Sequence, residues 1–86
     1  MPNYKLIHIR KDLLGMTQEE FSKEIPMVKT QYSYKENGSR KVWIPEAIKI
    51  RDTINRLLEE KILKYPELQK QEEFTKTYSL DDIFLE

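Results

Sequence analysis

The chain has 86 residues, 38% of them hydrophobic and 35% charged, with a formal net charge of zero and no cysteine. This length suits one compact domain, and the lack of cysteine excludes disulfide bridges and thiolate metal sites. No apolar run approaches the roughly 20 residues that span a bilayer, and the first residues do not resemble a signal peptide. We therefore expect a protein of the cytoplasm.

The zero net charge conceals an uneven distribution. Residues 1–56 hold eleven Lys and Arg against seven Asp and Glu, whereas residues 57–86 hold four against eight. A partner meets the charge of the face presented to it and not the total. The pattern favours a basic head that binds nucleic acid and an acidic arm, although a chance asymmetry on solvated helices would give the same counts.

The spacing of apolar residues predicts an all-α fold, since no alternation typical of strands is sustained. Leu6, Ile9 and Leu13 recur at intervals of three and four residues, which places them on one face of a first helix. Gly15 is expected to end this helix because glycine adopts positive φ without strain.

A capping box, Thr-Gln-Glu-Glu over residues 17–20, predicts the start of a second helix. In such a box the Thr17 hydroxyl accepts a hydrogen bond from the third helical amide, and Glu20 accepts one from the Thr17 amide. The helix is expected to run to about residue 25, where Pro26 stops it. A third helix follows from residue 28 or 29 to about residue 37, where an Asn-Gly pair ends it.

Pro45 suits the first turn of a fourth helix, whose apolar stripe continues to about Lys64 before Tyr-Pro breaks it. The tail after Pro66 is too apolar to serve only for solvation. Its segment Ser79–Asp82 has the pattern of another helix start. The prediction is a small four- to five-helix bundle with a long fourth helix and a short C-terminal arm.

Three separate blocks of sequence resemble the phage-repressor/Cro-type helix-turn-helix family, also called the xenobiotic response element family. The stretch MTQEEFSKEIPMVKTQYSYKENGSR, residues 16–40, is similar to the family's Leu-Thr-Gln-Glu-Glu-Leu-Ala through Tyr-Glu-Asn-Gly. Ala-Ile-Lys-Ile, residues 47–50, keeps the spacing of the family's Ala-Leu-Lys-Ile. The resemblance covers roughly residues 5–58. It implies a lambda-repressor-like DNA-binding domain over residues 1–64, followed by an arm over residues 65–86.

The resemblance also implies a role for individual side chains. In the family the third helix lies in the major groove of duplex DNA, where an α-helix can contact base edges. The positions that read bases correspond to Lys29, Thr30, Gln31, Ser33 and Tyr34. Those that bind phosphate correspond to Gln18, Asn37, Arg40 and Lys41. Without the resemblance, the charged residues Lys29, Arg40 and Lys41 would be interpreted as ordinary solvated side chains.

Some residues depart from the family's pattern. Pro26 replaces the usual turn glycine, and Val28 replaces the Ser or Thr that caps the recognition helix, at a cost of about 1 kcal/mol. The family often has a structural Arg–Glu pair, which here joins Glu36 to either Arg10 or Lys11. One extra residue between the first helix and the capping box leaves that choice open.

The leading hypothesis is a sequence-specific transcriptional regulator, a repressor of phage or mobile-element type, that binds DNA as a homodimer. The candidate dimer surface is the apolar stripe Ile54, Leu57, Leu58 and Ile62, together with the arm; alternatively these residues pack on their own core. Two other classes are an antitoxin whose arm binds a toxin and an interaction module that binds another regulator. The single histidine, His8, has no evident catalytic partner, and neither an enzyme, a cofactor nor a metal is expected.

Overall fold

The computed structural model describes residues 1–85, which form helices without a β-strand. The α-helices are α1 (Tyr4–His8), α2 (Gln18–Glu24), α3 (Lys29–Asn37), α4 (Ile44–Lys64), α5 (Glu72–Thr75) and α6 (Leu80–Phe84). A π-helix, Ile9–Leu13, continues α1, and a 3-10 helix, Pro66–Lys70, follows α4. The all-α fold and the long fourth helix are confirmed. The count of four or five helices was too low because the tail adds two short ones.

Two of the helices begin at the capping boxes that the sequence predicts. At α2 the Glu20 amide donates to the Thr17 hydroxyl at 3.1 Å, and the Thr17 amide donates to the Glu20 carboxylate at 2.9 Å. At α6 the Asp82 amide donates to the Ser79 hydroxyl at 3.2 Å, and the Ser79 amide donates to the Asp82 carboxylate at 2.9 Å. Helix α3 instead begins after Val28, whose apolar side chain cannot accept a hydrogen bond. Its first amides therefore lack the cap that a Ser or Thr would supply.

The π-helix decides which basic residue faces Glu36. The Leu14 amide donates to the Ile9 carbonyl at 2.9 Å, a bond that spans five residues and widens the turn by one residue. This turn accommodates the extra residue before the capping box. Arg10 thereby reaches Glu36, whereas Lys11 lies exposed at the surface.

A single hydrophobic core joins the head to the arm. Its centre is formed by α1 and α4, where Leu6, Ile50 and Ile54 are fully buried. The arm contributes further buried residues, namely Phe74, Tyr78 and Ile83. The arm therefore covers the chain's own core within residues 1–85, as one of the two sequence-based alternatives stated. Residue 86, the last of the predicted arm, lies outside the described part.

Polar contacts from α4 and α1 hold the arm in place. Asn55 on α4 donates through Nδ2 to the Tyr78 carbonyl at 3.0 Å and accepts from the Tyr78 amide at 2.8 Å. On α1, His8 contacts Asp12 through Nδ1 at 2.8 Å and Glu73 of α5 through Nε2 at 2.7 Å. Hydrogen bonds from both ring nitrogens to carboxylates require the protonated ring. The hydrogen bond to Glu73, and to a smaller extent the one to Asp12, raises the pKa of His8 above 6.5.

The packing of the arm alters the candidate dimer surface. Ile54 and Leu58 are buried in the core of the same chain and offer no surface to a second copy, so the prediction is corrected at these two positions. Leu57 and Ile62 are partly buried against that core. Within residues 1–85, no helix is both long enough and apolar enough to cross a membrane.

Candidate nucleic-acid interface

A buried network around Glu36 fixes the inner side of α3. The Glu36 carboxylate accepts two hydrogen bonds from Arg10, through Nε and Nη2, each at 2.8 Å. It also accepts one from Gln18 Nε2 at 3.0 Å and one from the Tyr32 hydroxyl at 2.5 Å. Since these partners come from the α1 segment, α2 and α3, one carboxylate sets the positions of three helices.

The ion pair of this network, Arg10 and Glu36, stays charged inside the fold. Burial raises the pKa of Glu36, but hydrogen bonds from Arg10, Tyr32 and Gln18 outweigh burial and bring this pKa below 4.5. The hydrogen bond to Glu36 raises the pKa of Arg10. Burial raises the pKa of the Tyr32 phenol, so the phenol keeps its proton and donates it to Glu36. The pair is neutral as a whole and adds no net charge to the surface of α3.

The side of α3 opposite Tyr32 faces solvent and carries Thr30 and Tyr34, with Gln31 and Ser33 on its flanks. Lys29 lies three residues before Tyr32 and is exposed because it is the first residue of the helix. Two residues of an α-helix correspond to about 200° of rotation, so Thr30 and Tyr34 each point about 160° away from buried Tyr32. Of the five side chains predicted to read bases, Lys29, Thr30 and Gln31 are exposed, while Ser33 and Tyr34 are half-buried. The structure thus brings all five to the accessible surface of one helix.

The four residues predicted to bind phosphate have different surroundings. Gln18 uses its amide nitrogen in the Glu36 network, which fixes the orientation of that side chain. Asn37 accepts a hydrogen bond from the Ser39 amide at 2.9 Å within the turn that ends α3. Arg40 and Lys41 are exposed in the loop after α3, and the Arg40 guanidinium carbon lies 4.6 Å from the centre of the Tyr34 ring.

Lys11 adds a cation near α3 that the sequence-based reasoning did not assign to the site. An open groove of about 660 Å³ lies between the end of the first helical segment and the starts of α2 and α3. Lys11, Gln18 and Lys29 all line this groove, as does the acidic residue Glu19. The sequence did not reveal this position of Lys11, because the π-helix decides that Arg10 and not Lys11 pairs with Glu36.

The charges around α3 leave an excess of cations. Other basic side chains are matched by acids: Lys35 pairs with Glu46 at 3.2 Å, and Arg56 pairs with carboxylates of α2 and α4. Among residues 1–85, no carboxylate lies within ion-pair distance of Lys29, Arg40 or Lys41. Polar and basic side chains on one exposed helix and its following loop are the chemistry that base edges and phosphates require.

Comparison of the chain with models of protein families, with curated proteins and with solved structures finds no match. Over the part of the chain that the structure describes, no group of three or more His, Asp or Glu is arranged to hold a metal ion. Any functional interpretation of this surface therefore depends on the geometry and charge of its residues.

Proposed function

We propose that the protein binds duplex DNA sequence-specifically as a transcriptional regulator, with α3 in the major groove. One observation carries the proposal: Glu36 fixes the inner side of α3, and the exposed cations Lys29, Arg40 and Lys41 of α3 and its following loop have no ion-pair partner within residues 1–85. Helices α2 and α3 are joined by a turn of residues 25–28, the length usual in helix-turn-helix units. We infer from this that the head is of the lambda-repressor-like type.

The side chains of α3 suit direct contact with base edges. Lys29 can donate to the O6 and N7 atoms of guanine, and Gln31 can bond both N6 and N7 of adenine. Thr30 and Ser33 can bond several bases, and the Thr30 methyl group can also contact the methyl group of thymine. Each good pairing contributes about 1–3 kcal/mol of discrimination against a wrong base.

Arg40 and Lys41 suit contact with phosphates beside the groove. Stacking on Tyr34 holds the Arg40 guanidinium next to α3, which reduces the side-chain entropy lost when it binds. Contacts of this kind set the register and strength of binding, and they make affinity fall as salt rises. Hydrogen bonds also fix the side chains of Gln18, which donates to Glu36, and of Asn37, which accepts from the Ser39 amide.

A domain of this size buries little DNA surface, so we propose that two copies bind half-sites about one helical turn apart. Burial removes Ile54 and Leu58 from the dimer surface. Trp43 and Ile44, which are 69% and 64% exposed beside the loop after α3, offer an alternative.

The test is selection of bound sequences from a random duplex pool. The wild-type chain is compared with a Lys29→Ala/Tyr34→Ala variant, and a matched Lys64→Ala/Tyr65→Ala variant removes the same residue types at the end of α4. The proposal expects a palindromic sequence that the wild type and the α4 variant enrich and the α3 variant does not. Equal, weak retention of all sequences by the three proteins would refute it.

The second candidate is a module that binds another protein, which the exposed Trp43 and Ile44 favour. In that case, neutralising Lys29, Arg40 and Lys41 together would leave the activity intact. The antitoxin alternative expected an arm that folds only on its partner, whereas residues 65–85 pack on the chain's own core.

A further inference from the structure

A second concave surface lies where the two ends of the chain meet the loop after α3. We call it the terminal groove; it has a volume of about 510 Å³ and is lined by the first five residues, the end of α6 and the loop around Arg40 and Val42. This volume falls in the range of sites that bind small molecules. Apart from Arg40, it shares no residue with the proposed DNA-binding surface.

The walls of the terminal groove are held by specific contacts. Asn3 donates through its backbone amide to the Glu36 carbonyl at 2.8 Å and through Nδ2 to the Ile83 carbonyl at 3.0 Å. Lys5 donates through Nζ to the Leu85 carbonyl at 2.5 Å. Gly38 lies so close to Met1 that a Cβ atom there would meet the Met1 carbonyl oxygen at 2.0 Å. The groove is therefore shaped before any ligand arrives.

The lining combines an apolar surface with cations. Val42, Ile83 and Phe84 contribute apolar side chains, and Lys5, Lys35 and Arg40 contribute positive charge. Within residues 1–85, no Asp or Glu lines the groove. Lys35 is matched by Glu46 outside the lining, whereas within residues 1–85 neither Lys5 nor Arg40 forms an ion pair with a carboxylate.

We propose that the terminal groove binds a small amphipathic anion, with a carboxylate between Lys5 and Arg40 and an apolar body against Val42 and Phe84. An apolar pocket with a few placed polar groups is the usual form of a small-molecule site. Charge-assisted hydrogen bonds from Lys and Arg to a carboxylate are stronger than neutral ones. Neither charge alone nor an apolar chain alone satisfies both halves of the lining.

The test uses octanoate as the probe and the amide spectrum of the 15N-labelled chain as the readout. We expect saturable shifts confined to residues 1–5, 38–42 and 83–85. Inorganic phosphate and 1-octanol at the same concentrations should produce much weaker shifts, because each offers only half of the required chemistry. Shifts spread over other exposed apolar residues such as Leu63, or equal shifts with 1-octanol, would overturn the proposal.

Variants assign the binding to named side chains. Arg40→Gln leaves the Lys5–Leu85 contact intact, and we expect it to weaken octanoate binding about tenfold, the loss expected for one charge-assisted contact. The matched control Lys23→Gln removes an exposed charge from α2 and should bind as the wild type does. Unchanged affinity in Arg40→Gln would overturn the proposal.

Failure of this proposal is distinguishable from failure of the proposed DNA binding. The octanoate titration contains no DNA, and Lys5 lies outside the surface assigned to DNA. Lys5→Gln should weaken octanoate binding and leave the enriched DNA sequence unchanged, with the amide spectrum showing that the fold is retained. Unchanged octanoate binding in Lys5→Gln would count against the terminal groove alone.

Discussion

Replacement of Glu36 by Ala tests the network that positions α3. Arg10 is only 8% exposed, and in the variant its guanidinium keeps only the Met16 carbonyl as a hydrogen-bond acceptor. The Tyr32 hydroxyl loses its acceptor. Removing one partner of a buried ion pair costs about 3–5 kcal/mol. A chain of this length has a free energy of unfolding of roughly 4–13 kcal/mol, so the loss would be a large share of it.

The assay is unfolding in urea, monitored by circular dichroism. Tyr32→Phe removes only one hydrogen bond to a charged group and should cost about 1.5–3 kcal/mol, less than Glu36→Ala. Glu59→Ala removes an exposed carboxylate from α4 and should change stability by less than about 0.5 kcal/mol. A Glu36→Ala variant within about 1 kcal/mol of the wild type, or one more stable than Tyr32→Phe, would refute the reasoning.

Three further predictions concern other parts of the fold. Gly38→Ala should destabilise the protein more than Gly15→Ala: both residues have positive φ, which costs an Ala about 1–2 kcal/mol, but only Gly38 lies against the Met1 backbone. Val28→Ser should stabilise the protein by about 1 kcal/mol, since Val28 has the extended backbone of an N-cap and is exposed. His8→Gln should remove a pH dependence: because the folded-state pKa is raised, the stabilisation is complete below pH 6.5 and is lost as pH rises through the folded-state pKa.

Thermal unfolding of each variant checks these predictions. Equal losses in the two glycine variants would show that packing against Met1 is not significant. A Val28→Ser protein no more stable than the wild type would contradict the inferred defect at the start of α3. A stability difference between wild type and His8→Gln that stays constant from about pH 6 to pH 8 would exclude the proposed role of the protonated ring.

Local signals made the helices of the head predictable from sequence. The capping box at Thr17, Pro26 after the second helix and the Asn-Gly pair after the third each act within a few residues, and α2 and α3 begin and end where these signals place them. Helical periodicity placed Thr30 and Tyr34 opposite buried Tyr32, whereas Lys29 is exposed because it begins α3. The assignment of those residues to DNA stays a prediction.

The remaining features depend on contacts between distant parts of the chain. Asn55 holds Tyr78 across 23 residues, and His8 meets Glu73 across 65, so nothing local to either residue indicates the contact. The apolar stripe of α4 looked free for a dimer because the helix start at Ser79 does not indicate where the arm packs. The choice of Arg10 over Lys11 required the π-helix, for which the sequence offered no distinct signal.

The central claim is that the outer side of α3 binds DNA, and the amide spectrum of the 15N-labelled chain during addition of duplex DNA at low salt tests it most directly. The account predicts that the largest shifts occur at residues 29–34 and 40–41, while the amides of α5 and α6 change little. Shifts concentrated in the arm, or a spectrum unchanged by the duplex, would contradict it.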